Sequence, residues 1–164
     1  MRILAFDPGF ERLGVAVVEK NSSTALGTSK KEELLYSDCI RTKATLPFAE
    51  RLAVLGKEVE QLIKKWEPDF TALENLYFEN NAKTAMNVSA VRGMLLYISA
   101  KNGLIAHEYT PLQVKVATTG YGKSDKRAMA LMVQKLVKIT DKKMLDDELD
   151  AIAVGLTCLA SVRN

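Results

Sequence analysis

Histidine is nearly missing from this chain: there is one, His107, and there are only two cysteines, Cys39 and Cys158. The cysteines lie far apart inside apolar segments, so neither a disulfide framework nor a zinc-ligand spacing can be read from them. Buried reduced thiols, as expected in the cytosol, are the simpler reading. A single histidine beside Glu108, without a partner motif, offers little for imidazole chemistry, and His107 reads as structural. No apolar run approaches the roughly 20 residues that a membrane span requires. The chain opens directly on a strand-like segment instead of a basic, then apolar leader, so no signal or transit peptide is expected and a cytoplasmic location is. Net charge is also small. A formal +3 is too little, by itself, to imply a nucleic-acid partner. Internal repeats, low-complexity segments and a second domain are absent as well.

What is present fits one soluble domain over residues 1–164, with 48% apolar and 26% charged side chains. The charge is unevenly spread. Between Lys115 and Lys143 eight basic side chains stand against Asp125 and Asp141, which leaves the rest of the chain net acidic. A basic third beside an acidic site suits a protein that holds a polyanion. For Lys135, Lys138, Lys142 and Lys143 a solvated helix face explains the charge equally well. Lys115, Lys123 and Lys126 flank the glycine-containing stretch Thr118-Thr119-Gly120-Tyr121-Gly122 and are the better candidates for phosphate contact.

Four carboxylates carry most of the information. Asp7 ends the run Ile3-Leu4-Ala5-Phe6, Glu74 ends Phe70-Thr71-Ala72-Leu73, and Asp147 and Asp150 open the run from Ala151 to Leu156. Carboxylates in apolar surroundings require protonation or a positive partner. A divalent cation satisfies several at once, and an all-oxygen set suits Mg²⁺ or Mn²⁺ over zinc. Each acid also has a plain structural reading: Asp before Pro-Gly starts a turn, and acids favour helix N-termini. Glu74, between Leu73 and a following aromatic pair, is the hardest to explain that way.

The pattern predicts strands over Arg2–Asp7, Leu13–Glu19, Leu34–Arg41, Asp69–Glu74 and Leu104–Tyr109. It predicts helices over Phe48–Trp66, Ala82–Lys101, Lys126–Ile139 and Asp147–Val162, with a polar loop from Asn21 to Glu32. This order implies an α/β fold, a five-stranded mixed sheet with helices on both faces. Strands one and four are expected side by side and parallel, which would bring Asp7 and Glu74 together. Asp147 and Asp150, three apart, share a helical face and can join them; Asp146 and Glu148 fall on other faces, as partners of the helix dipole.

Phe6-Asp7-Pro8-Gly9, Leu73-Glu74-Asn75-Leu76-Tyr77 and Asp147-Glu148-Leu149-Asp150-Ala151 resemble the three acidic motifs of the bacterial RuvC family. Asn81-Ala82, Arg92-Gly93 and Gln113-Val114-Lys115 resemble the family pattern between them, so the likeness spans nearly the whole chain. The resemblance implies an RNase H-like fold and a homodimer that resolves Holliday junctions by paired, symmetric nicks in DNA recombination and repair. It implies catalytic and metal-binding roles for Asp7, Glu74, Asp147 and Asp150 with two Mg²⁺ ions, Mn²⁺ being a possible substitute. It further implies base stacking by Tyr77, where phenylalanine is more usual, and DNA contacts by Lys115 and Lys126. Lys123 has no clear family counterpart. The RuvA–RuvB branch-migration complex is the implied partner. The stripe Met86, Ala90, Val91, Met94, Leu95 and Ile98 is the implied dimer face, although such a stripe is commonly core.

Three other readings compete. An RNase H-like nuclease trimming ribosomal RNA precursors shares the Asp-Pro-Gly start and the echo of Arg12 and Gly14-Val15-Ala16. An actin-like or sugar-kinase-like nucleotide domain could use Asp7-Pro8-Gly9 as a phosphate loop, but needs two such domains. A non-catalytic junction-binding module is disfavoured by the intact acid set.

Overall fold

Alternation along the first strand sets the layout. Ile3 and Ala5 enter one buried cluster while Leu4 and Phe6 enter another, so this strand is covered on both sides. The computed structural model describes residues 1–20, 32–75, 82–137 and 144–162. Five strands, β1 (Arg2–Asp7), β2 (Arg12–Lys20), β3 (Glu32–Arg41), β4 (Phe70–Glu74) and β5 (Ile105–Tyr109), form one mixed sheet in the order β3-β2-β1-β4-β5. The first three strands make an antiparallel meander, and β4 and β5 add in parallel. Most of the predicted loop, residues 21–31, lies outside the described residues; Glu32 belongs to β3.

Helices α1 (Phe48–Trp66) and α2 (Ala82–Lys101) cover the Leu4/Phe6 face, with Leu55, Val59, Val91, Leu95 and Ile98 at the contact. The first of these ends where Glu67 takes a left-handed conformation (φ 45°) just ahead of Pro68. On the opposite face lie α3 (Pro111–Thr119), α4 (Lys126–Leu136) and α5 (Asp146–Ser161). The last is apolar nearly all round from Leu149 to Leu159 and is correspondingly buried. Its close approach to the sheet needs Gly155, where a Cβ would stand 2.7 Å from Val18 Cγ2.

The sequence reading missed α3. Thr110 caps it by accepting from the Gln113 backbone N–H, while the Gln113 side chain accepts from the Thr110 N–H, a reciprocal start signal. Lys115 therefore sits on a helix, not beside a loop, and Thr118-Thr119 form its last turn. The helix predicted over 126–139 ends earlier, at Leu136 with Val137 as cap. Cys39 and Cys158 are buried free thiols. His107 packs edge-on against Phe70, ring centroids 5.2 Å apart, in keeping with a structural role.

Candidate active site

Strand parity aims the first two acids. Asp7 follows Ile3 and Ala5 on the side facing α5, and Glu74 follows Ala72 on the same side. Their strands run in parallel with Phe6 opposite Leu73, so Asp7 and Glu74 come next in line at one edge of the sheet. The first turn of α5 rests on that edge, bringing Asp147 and Asp150 to it. Gly14 makes this possible: it pairs with Asp7 across the sheet, and a Cβ there would stand 2.0 Å from the Asp147 carbonyl oxygen and 3.2 Å from Asp7 Cβ.

The electrostatics are those of a crowded carboxylate set. Burial, followed by the charges of Asp150, Glu74 and Asp147, pushes the Asp7 carboxyl up to about 7, against a small opposing pull from Lys126. Glu74 is raised by burial and then by Asp150, with Lys115 working the other way. Asp150 is raised by burial, an effect that Lys126 partly offsets. All four predicted acids therefore converge. They do not form a closed shell: among the described residues no three His, Cys, Asp or Glu side chains are gathered closely enough to hold an ion as they stand. The two on α5 are instead paired with internal cations, Asp147 with Arg12 (3.5 Å) and Asp150 with Lys126 (3.5 Å). Lys126 also reaches Asp146 at 3.2 Å. The Cys39 thiol stands 3.8 Å from Asp147 Oδ2.

Two clefts flank the acids. One, of about 280 Å³, is lined by Glu74, Asp150, Lys115 and Lys126. The other, of about 530 Å³, lies on the Asp147 side and is lined by Phe10, Arg12, Thr84 and Asn87. Lys115 and Lys126 are thus beside the acids as expected, whereas Lys123 is exposed in the turn between α3 and α4. Tyr77, with neighbouring Phe78, lies outside the described residues, as do Lys138, Lys142 and Lys143.

Two participants escaped the sequence reading. Arg12 is one; its only signal was a basic residue shortly after Asp-Pro-Gly. Glu148 is the other. Expected only as a partner of the helix dipole on another face, it is 5% exposed and accepts from Ser37 Oγ at 2.7 Å and from the Leu145 N–H at 3.3 Å. It ties the start of α5 to β3, a contact between segments more than a hundred residues apart. Arg92, in its predicted motif, pairs with Glu108.

Comparison with known proteins is consistent along the whole chain. The profile of the family described as crossover junction endodeoxyribonuclease RuvC matches residues 3–158. The protein of that description from Desulfitobacterium hafniense is 38% identical over 162 residues, 99% of this chain and 94% of that one. Its counterpart from Desulforamulus reducens is 40% identical, covering 95% and 91%. Among solved structures, Thermus thermophilus RuvC in complex with a Holliday junction substrate superposes with a TM-score of 0.86 at 27% identity, covering 96% of this chain and 92% of that one.

Proposed function

The chain belongs to the crossover junction endodeoxyribonuclease RuvC family, and on that premise we propose that it resolves Holliday junctions by hydrolysing one phosphodiester on each of two opposed strands. The RNase H-like fold and the family match along the chain favour this over ribosomal RNA trimming, over a nucleotide-binding domain and over a module that only binds junctions. Residues 1–164 act together as one nuclease domain.

The single observation that carries the catalytic assignment is the convergence of Asp7, Glu74, Asp147 and Asp150, of which Asp7, Glu74 and Asp150 are raised by burial and by neighbouring acids. These oxygen donors are chemically suited to two Mg²⁺ ions, with Mn²⁺ as an alternative, and Asp7, Glu74, Asp147 and Asp150 are the residues that would hold them. When bound, such a pair activates the attacking water and stabilises the leaving 3′ oxygen. The chain's own contribution is to place the acids on rigid elements, two strand ends and one helix start, so that they need not be ordered at the moment of reaction. Lys115 and Lys126, lining the cleft beside Glu74 and Asp150, hold the phosphate charge of the incoming strand. Lys123 adds a looser contact from the adjoining turn. Tyr77 is assigned base stacking near the crossover on family grounds.

A homodimer would present two such sites to the two strands of like polarity, which accounts for symmetric cutting. In support, the apolar stripe of α2 divides in two. Val91, Leu95 and Ile98 pack inward, whereas Met86 is 72% exposed and Tyr97, a residue outside the predicted stripe, is 66% exposed. The latter two lie three turns apart on one helix face. The implied RuvA–RuvB partner complex supplies the junction. Among the described residues no helix is long and apolar enough to cross a membrane, and a cytoplasmic site of action fits work on DNA.

A nicking assay with a labelled four-way junction tests the proposal, with linear duplex and structured RNA beside it. Paired nicks on opposed strands of the junction alone, lost with EDTA, are expected. Asp7→Asn and Glu74→Gln should each lower cutting by several orders of magnitude while junction binding persists. Normal cutting by either variant refutes the metal-site assignment, and preferential cutting of RNA refutes the substrate.

A further inference from the structure

The cleft on the Asp147 side has no role in the reading above, and Arg12, the one cation among its described lining residues, was not among the expected DNA contacts. We propose that Arg12 is a phosphate-contacting residue and that this cleft carries the cut strand on the side of the acids opposite to Lys115 and Lys126. The inference rests on the junction-cutting reading and adds a second half to its substrate track.

Several features of the cleft point the same way. Asp150 borders the Lys115/Lys126 cleft and Asp147 borders the Arg12 cleft, so the acids lie between the two. A strand whose phosphodiester sits at the acids must extend to both sides, and each side offers a basic side chain. The volume, about 530 Å³, falls within the range of roughly 300–1,000 Å³ typical of ligand clefts. Thr84 and Asn87, from the first turns of α2, line its far wall with a hydroxyl and an amide. Glu11 is the only acid besides Asp147 among the described lining residues.

Arg12 is held ready for this task. The turn that carries it is braced from outside: the Phe10 carbonyl accepts from Thr42 Oγ1 and from Arg51, whose guanidinium lies 3.7 Å over the Phe10 ring. The Glu11 carbonyl accepts from the Thr42 N–H at 3.2 Å. The side chain itself stays 55% exposed although it is paired with Asp147, and that pair, at 3.5 Å, is loose. A planar guanidinium fork suits a phosphate better than a single carboxylate oxygen at that distance. The pairing uses one oxygen of Asp147 at 3.5 Å, so it holds the fork loosely and leaves its other N–H groups to the cleft. Lys126 stands in the same relation to Asp150 on the other side. The two clefts are therefore organised alike, each with one acid of α5 temporarily neutralised by the cation that serves the DNA.

The test compares Arg12→Gln and Arg12→Lys in an Asp7→Asn background, so that the junction stays intact. Junction affinity is followed by fluorescence anisotropy across a range of salt concentrations, and Mg²⁺ binding to the DNA-free single variants by calorimetry. Arg12→Gln should reduce the slope of log affinity against log salt by about 1, with the loss spread evenly over junction sequences. Arg12→Lys should retain the slope while binding more weakly than arginine. In DNA-free protein, Arg12→Gln should bind Mg²⁺ at least as tightly as wild type. An unchanged salt slope, or weaker Mg²⁺ binding with unchanged junction affinity, would overturn the inference by reducing Arg12 to a holder of Asp147. If the protein with Arg12 intact shows no preference for junction over duplex, the functional reading itself fails and this inference falls with it.

Discussion

Replacing Asp7 with asparagine should make the metal-free protein more stable at pH 8 while destroying its activity. The Asp7 carboxyl has its ordinary value near 3.8 in the unfolded chain and about 7 in the folded one. The folded state is therefore the stronger proton binder. Between those two values the folded protein keeps a proton that the unfolded chain has already lost, so stability falls as pH rises through this window and levels off above pH 7. At about 1.4 kcal/mol per pH unit the full loss is about 4 kcal/mol. Relief of Glu74 and Asp150, whose carboxyls are also raised, overlaps with that of Asp7, which makes this figure a ceiling. Asparagine is neutral in both states and escapes the loss. Urea denaturation in EDTA, followed by circular dichroism, should show Asp7→Asn gaining up to about 4 kcal/mol over wild type at pH 8. Heating should show a gain of roughly 2–4 °C per kcal/mol for a chain of this size. Near pH 4 the two proteins should converge. Added Mg²⁺ should then stabilise wild type and leave Asp7→Asn nearly unmoved, because only a ligand bound by the folded state raises its stability. A variant less stable than wild type at pH 8, or a difference that does not change with pH, would refute the reasoning.

Other perturbations give separate checks. Gly14→Ala places a Cβ 2.0 Å from the Asp147 carbonyl oxygen, so α5 must shift away from Asp7. Denaturation should register a cost of about 1–3 kcal/mol, and nicking should fall far more than stability does. Lys126→Gln removes the cation that offsets the burial of Asp150, so that carboxyl rises further. The pH profile of Mg²⁺ binding should move upward, as calorimetry at several pH values would register. Tyr97→Glu puts a charge on the exposed face of α2; sedimentation should find monomer, with nicks no longer paired on opposed strands while the fold is retained.

Much of the fold is legible locally. The short apolar run Ile3-Leu4-Ala5-Phe6, closed by Pro8-Gly9, and the spacing of Leu52, Leu55, Val59 and Leu62 locate strand and helix, because a strand buried on both faces is brief and apolar throughout while a helix buries every third or fourth residue. Arg2–Asp7, Phe48–Trp66 and Ala82–Lys101 coincide with their predicted spans, and the other strands differ by a residue or two at their ends. The missed helix, α3, is short and carries little amphipathic contrast, since Val114 and Thr118 are its buried residues. Its signal was the Thr110–Gln113 capping box, not periodicity. The site was partly legible for a related reason: an acid that ends an apolar run, as Asp7 and Glu74 do, has no local explanation, and that mismatch is visible without a structure.

Residue order alone marks the acids in apolar surroundings, most of the strands and helices, and the family to which their motifs point. The expected pairing of β1 with β4 does bring Glu74 beside Asp7; packing alone decided how α5 is seated. The absent side chain of Gly14 lets α5 settle against them, and the same packing buries Glu148 under Ser37 and sets Arg12 against Asp147. The physical reason lies in range. Periodicity and capping act over a few residues, whereas a charge responds to whatever the fold brings within a few ångströms, here side chains from opposite ends of the chain.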